Sequence, residues 1–182
     1  MVVFETQGEK NTKETVELAV EAARKQGIKY IVAASYRGVV ADELIKYADE
    51  FNIVIVAQVF GFSEKNPMQT ERLQMLREEG LEVLFATHAL SGAERGISKK
   101  FGGVNPVELI AQALKFFGQG TKVCVEISTM AIDAGLIPEK ELIMAIAGTG
   151  KGADTSLVLL PAHASNIMDT KINEIICKPK LA

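Results

Sequence analysis

VELAVEAARKQGIKYIVAA, residues 16–34, joins an amphipathic helix to a buried strand. Val16, Ala19, Val20 and Ala23 recur at the i, i+3, i+4, i+7 spacing that puts apolar groups on one face of a 3.6-residue helix. Asn11 and Glu14 stand in capping-box positions before it, which predicts a helix start there. Gly27 predicts its end, because a left-handed residue closes many helices and a Cβ disfavours that conformation. Tyr30-Ile31-Val32-Ala33-Ala34 is apolar without alternation, the mark of a strand buried on both faces.

Outward from this unit the same order repeats. Ala41 to Phe51 reads as helix and Ile53 to Ala57 as a second buried strand. Pro67 marks a further helix start, Gly80 its end, and Val83 to Ala86 a third strand. Arg24-Lys25-Gln26-Gly27-Ile28 and Arg77-Glu78-Glu79-Gly80-Leu81 build the helix-to-strand joint twice with the same chemistry. Strands alternating with amphipathic helices predict βαβ units and a parallel sheet. Ser91 with Glu94, and Asn105-Pro106 with Glu108, predict two helix starts. Val123 to Ala134 fits both a strand and a helix; the Gly135 and Pro138 that follow favour helix. Leu142 to Ala147, Ser156 to Leu160 and Glu174 to Cys177 are strands, the first two without a helix between them. The fold expected is α/β, a mostly parallel doubly wound sheet flanked by helices with an antiparallel edge. A short Val2-Val3-Phe4 strand precedes it.

The 182 residues carry 20 basic and 23 acidic side chains, net charge −3, with 48% hydrophobic and 24% charged residues, ordinary usage for one globular domain spanning 1–182. A slightly acidic chain without a Lys/Arg tract argues against nucleic acid or an anionic membrane as partner. No apolar run approaches the ~18 residues of a membrane span. Met1 to Gln7 lacks the basic-then-apolar pattern of a secretory signal, so a cytoplasmic protein is expected. Cys124 and Cys177 lie far apart and read as buried thiols in a reducing compartment, and two histidines leave no metal motif to write.

Gly148-Thr149-Gly150-Lys151-Gly152-Ala153-Asp154 is the sharpest chemical feature. Alternating glycines let backbone N–H groups approach an anion, and Lys151 adds a cation in the same turn. It is neither a Walker A loop nor a dinucleotide fingerprint, since a strand follows where a helix is needed. An ordinary Gly-rich hairpin is the competing reading. Ser35-Tyr36-Arg37-Gly38, at the end of one strand and the start of a helix, is a second phosphate-cradle candidate, against a simple cap with a solvated Arg. Phe60 and Phe62 could flank a planar ring, or simply pack on the core. His88, Glu94 and Arg95 are weak catalytic candidates; a Ser/His/acid hydrolase is disfavoured because no Gly-x-Ser-x-Gly elbow exists.

With these residues in view, the chain resembles the α/β domain at the C-terminus of pyruvate kinase, and more closely a family of small stand-alone archaeal and bacterial proteins built on it. The kinase likeness lies in Val16 to Gly38 and in Ala131 to Val158, which holds the Gly-rich loop and Ala153-Asp154-Thr155. Similarity to the stand-alone family extends through His88 to Gly103, Ala162-His163 and Ile176-Cys177-Lys178-Pro179. The resemblance implies a domain that in the kinase carries a sugar-phosphate effector site and subunit contacts, with the catalytic barrel elsewhere. It therefore implies a fold relative and not pyruvate kinase activity. Carried over by position, the cofactor-binding candidates are Ser35, Arg37, Gly38, Gly148, Thr149, Gly150, Lys151, Gly152, Asp154 and Thr155. Lys151, and the lack of the aromatic residue common in kinase loops, set this loop apart from a sugar-phosphate one.

The expected function is binding of a small phosphorylated ligand, with FMN favoured, because flavodoxin-like sheets hold FMN where strand order reverses. The resemblance to the kinase domain implies that the Tyr30 and Leu142 strands lie side by side there, bringing Ser35–Gly38 and Gly148–Asp154 face to face. A flavin- or phosphate-ester-dependent enzyme using His88, Glu94 and Arg95, and an interaction module with an empty site, are the other readings. No metal is expected. Self-association into a homo-oligomer is expected, because Val2 to Phe4 and the Ile175-Ile176 run offer strand edges that need cover.

Overall fold

The structure, a computed structural model, describes residues 1–60 and 70–181. Its strands are β1 (Val2–Phe4), β2 (Tyr30–Ala34), β3 (Asn52–Val56), β4 (Glu82–Leu84), β5 (Ile143–Ala147), β6 (Thr155–Leu160) and β7 (Lys171–Pro179). Its α-helices are α1 (Thr12–Gln26), α2 (Val39–Leu44), α3 (Thr70–Glu78), α4 (Ala93–Phe101), α5 (Pro106–Leu114) and α6 (Gln119–Asp133). The strands form one sheet in the order β1-β7-β6-β5-β2-β3-β4. β2 pairs in parallel with both β3 and β5, whereas β6 runs antiparallel to β5 and β7. β1 pairs in parallel with β7.

The continuous apolar strands are explained by helices on both faces. Ile31, Ala33, Ile53, Ile55, Met144 and Ile146 point to the side covered by α1, α2 and α3, where Val16, Val20, Leu44 and Leu76 complete a buried cluster. Val32, Val54, Ile143, Ala145, Leu157 and Leu159 point to the opposite side, against Cys124, Ile127, Met130 and Ala131 of α6. α5 packs outside α6 through Ala111 and Val125. The doubly wound reading is thus correct, and the ambiguous 123–134 segment is helix, with Val123 turned to the sheet and Val125 to α5.

The two Gly joints are built alike. Ile28 N–H bonds Ala23 O at 2.9 Å and Leu81 N–H bonds Leu76 O at 3.0 Å, each around a glycine at positive φ (67° and 83°).

Some local expectations are corrected. Asn11 is the N-cap residue of α1 but makes no capping hydrogen bond with its side chain, whose Nδ2 donates to Thr6 O instead. Ser91 does not cap α4, whose N-cap is Gly92; the capping box at Asn105 and Glu108 is present. The expected helix 41–51 begins earlier, at Val39, and gives way to a 3-10 turn at Ile45 to Tyr47. β1 lies outside β7 but pairs only with Cys177, Lys178 and Pro179, so it does not cover the Ile175-Ile176 run; the outermost strands of the sheet are β1 and β4. Phe62 and Pro67 lie outside the described residues. No described helix is long and apolar enough to cross a membrane.

Candidate functional site

The chain runs from β2 outward to β3 and β4, then returns to lay β5 on the other side of β2. Strand order reverses there, and in open α/β sheets the crevice outside such strand ends receives ligands. Because β2 and β5 are parallel neighbours, with Ala33 opposite Ile146, their following loops emerge at the same end. These are the Ser35–Gly38 and Gly148–Asp154 loops, so the two candidate segments are brought together as expected.

They frame two adjoining cavities. The smaller, about 260 Å³, is bordered by Glu9, Ser35, Tyr36, Arg37, Lys151 and Gly152. The larger, about 480 Å³, shares Ser35, Tyr36 and Gly152 with it. Its apolar wall includes Val56, Ile127 and Met130, and its polar wall His88, Ser91, Arg95, Lys122 and Glu126. An apolar pocket with a few convergent polar groups is the usual form of a small-molecule site.

The Gly-rich loop is fixed from behind. Asp154 is fully buried; its Oδ2 accepts from Gly8 N–H at 2.9 Å and Thr149 N–H at 3.2 Å, and its Oδ1 from Thr155 Oγ1 at 2.8 Å. Ala153 N–H donates to Thr12 Oγ1, which itself donates to Glu9 O. Asp154 and Thr155 therefore hold the loop in place from the protein side. Gly152 passes so close to the Glu9–Thr12 turn that a Cβ would lie 2.3 Å from Thr12 Oγ1. The Thr149 hydroxyl is buried without a hydrogen-bond partner among the described residues. Lys151 and Arg37 are exposed at the rim, Arg37 lying over the Tyr36 ring at 5.4 Å. Ser35 is buried, its Oγ accepting from Ala41 N–H at 3.3 Å at the start of α2, and Gly38 is that helix's N-cap.

Of the weak catalytic candidates, His88 and Arg95 border the larger cavity. Glu94 does not: its Oε2 accepts from Val107 N–H at 2.9 Å and ties α4 to α5. The acid beside His88 is instead Glu126, which the sequence reading missed. Its Oε1 accepts from Leu90 N–H at 3.0 Å and from Ser91 Oγ at 3.2 Å, and its Oε2 accepts from Lys122 Nζ at 2.5 Å. Ser91 Oγ lies 3.5 Å from His88 Nδ1, the edge of hydrogen-bond range. Burial holds the His88 imidazole below the ordinary histidine value, with Glu126 opposing. Burial likewise lowers Lys122, against the pull of Glu126. The missed signal was two opposite charges one turn apart in an otherwise apolar stretch, Lys122 and Glu126 among Val123, Cys124, Val125 and Ile127.

Phe60 contacts Phe85, ring centroids 5.1 Å apart, away from both cavities' named walls. Both cysteines are buried and free. Among the described residues no group of three or more His, Cys, Asp or Glu side chains could hold a metal.

The family described as "Pyruvate kinase, alpha/beta domain" matches residues 13–159. Among solved structures, the chain is similar to a pyruvate kinase from Cryptosporidium parvum, with 15% identity, 83% of this chain and 23% of that chain covered, and a TM-score of 0.46. It is also similar to the Cryptosporidium parvum pyruvate kinase in complex with ADP, with 16% identity, 88% and 23% coverage, and a TM-score of 0.43. The chain thus spans under a quarter of the length of the kinases it matches.

Proposed function

The chain belongs to the pyruvate kinase alpha/beta domain family, and we propose that it binds a small phosphorylated ligand across the two cavities at the β2/β5 strand ends, with FMN the favoured ligand. The observation that supports this reading is the pair of adjoining cavities of unlike chemistry, which share Ser35, Tyr36 and Gly152. The smaller is bordered by Arg37, Lys151 and the Gly-rich loop, which suits a phosphate; the larger has the apolar and polar walls that suit a ring. Charge-assisted bonds from such groups contribute roughly 1.5–3 kcal/mol each when well aligned.

The reading is one of binding. It assigns the chain no phosphate transfer between phosphoenolpyruvate and ADP, since the fold described is the α/β domain and not a barrel. The test is calorimetric titration with FMN, sugar phosphates and riboflavin. FMN binding well above riboflavin supports a phosphate site; equal binding of the two overturns it.

Self-association is part of the same proposal. Edge strand β1 exposes Val2 and Val3, and the α4–α5 region exposes Phe101 and Phe116 (75% and 78%), apolar surface of the kind subunits cover. Light scattering checks it, and a monomer at working concentration would remove it.

A further inference from the structure

The larger cavity has a wall that the phosphate loops leave unused. Lys122 and Glu126 face it one helical turn apart, their side chains only 8% and 5% exposed. Taking an ion pair out of water is costly, and apolar residues of similar size usually stabilise as well or better. This pair stands beside a cavity with its geometry fixed, because Leu90 N–H and Ser91 Oγ hold the other carboxylate oxygen. Burial acts most strongly on Lys122 and, with Lys115 and Arg95, makes its proton easier to remove; Glu126 opposes this yet already touches that proton. A desolvated lysine with an adjacent acid is the arrangement that activates an amine nucleophile.

From this arrangement we propose that Lys122 is a nucleophilic lysine that forms an imine with an aldehyde or ketone seated in the larger cavity. Glu126 takes a proton from the Lys122 ammonium. The nitrogen lone pair then attacks the carbonyl carbon, a C–N bond forms, and the carbonyl electrons pass to oxygen, which receives the proton back from Glu126. The nitrogen loses its second proton to Glu126, and the hydroxyl leaves with it as water as the C=N bond forms. Hydrolysis reverses each step, so no oxidant or reductant is needed. Imine formation goes beyond the phosphate reading and does not depend on it; only the narrowing to phosphorylated aldehydes and ketones rests on that reading.

The test treats the full chain with pyridoxal 5′-phosphate or with pyridoxal, reduces it with borohydride, and maps the modified peptides by mass spectrometry. Borohydride adds hydride to the C=N bond and fixes the adduct as a secondary amine. The expected result is an adduct on Lys122 appearing before those on exposed lysines such as Lys25, and lost in Lys122→Arg, which keeps a cation beside Glu126. Adducts on exposed lysines with Lys122 unmodified would overturn the inference, and the wild-type map decides this without any variant. Equal labelling of Lys122 by both aldehydes supports the imine and counts against the phosphate site; stronger labelling by the phosphorylated one supports both.

Discussion

The amide of Gly8 donates to Asp154 Oδ2 at 2.9 Å across 146 residues of sequence, fastening the segment before α1 to the loop between β5 and β6. The same carboxylate holds Thr149 N–H and the Thr155 hydroxyl, so one buried side chain sets the shape of the Gly-rich loop. Asp154→Ala leaves two amides and a hydroxyl unpaired. An orphaned buried group costs roughly 1–3 kcal/mol, and because the two amide bonds are only part-buried the low end applies to each, so stability should fall by about 3 kcal/mol. A chemical-denaturation midpoint nearly unchanged from wild type would show that the carboxylate does not hold the loop.

Two glycines of that loop should respond differently to alanine. Gly150 has a φ of 79° with open space where a Cβ would lie, so Gly150→Ala carries only the left-handed strain, about 1–2 kcal/mol. Gly152 has a φ of 67° and a Cβ there would also strike Thr12 Oγ1 and Glu9 Cα at 2.3 and 2.6 Å. Gly152→Ala should therefore destabilise more and loosen the Glu9–Thr12 turn. Thermal melts of the two variants check the order; equal shifts would contradict the close approach.

Glu126→Ala strands the Lys122 ammonium inside the cavity wall and removes the acceptor for Leu90 N–H and Ser91 Oγ. Breaking one side of a buried pair costs about 3–5 kcal/mol. Denaturant unfolding measures it, and a loss under about 1 kcal/mol, the scale of an exposed pair, would mean that the pair is not desolvated.

The chain's two histidines should titrate on opposite sides of the ordinary value near 6.5. Hydrogen bonds to Asp133 and Glu139 raise His163, so its contribution to stability is full below the unfolded value and fades as pH rises through the folded one. Burial lowers His88, so the unfolded chain takes up that proton first, and its contribution is lost as pH falls from the unfolded value toward the folded one. Imidazole NMR titration, assigned with His163→Gln, tests both directions. His88 titrating above His163 would contradict the placement of each.

Much of the sheet was legible because periodicity and Gly joints are local signals. Ile31 and Val32 face opposite helical layers, and an unbroken apolar run is what such a strand needs. The pairing of the Ser35–Gly38 and Gly148–Asp154 loops was also legible, since it needs only β2 and β5 to be parallel neighbours. The bracing of the loop by Asp154 was not legible, because nothing in the sequence links it to Gly8. That the acid beside His88 is Glu126 and not Glu94 was hidden for a similar reason. Glu94 is close to His88 in the chain but accepts from Val107 N–H, whereas α6 lying against the sheet brings Glu126 to Ser91. Asn11 takes the N-cap position as read, but it also ends a 3-10 turn with helical backbone angles, and its side chain turns to Thr6 O instead of the first turn of α1.

The phosphate site itself is tested most directly by calorimetric titration of FMN into wild type and Lys151→Ala. Lys151 is an exposed rim residue, so its removal should leave the melting temperature unchanged. Losing one charge-assisted bond to phosphate should weaken FMN by about tenfold or more. Equal affinity in the two proteins, or a ligand bound away from both loops, would contradict the account.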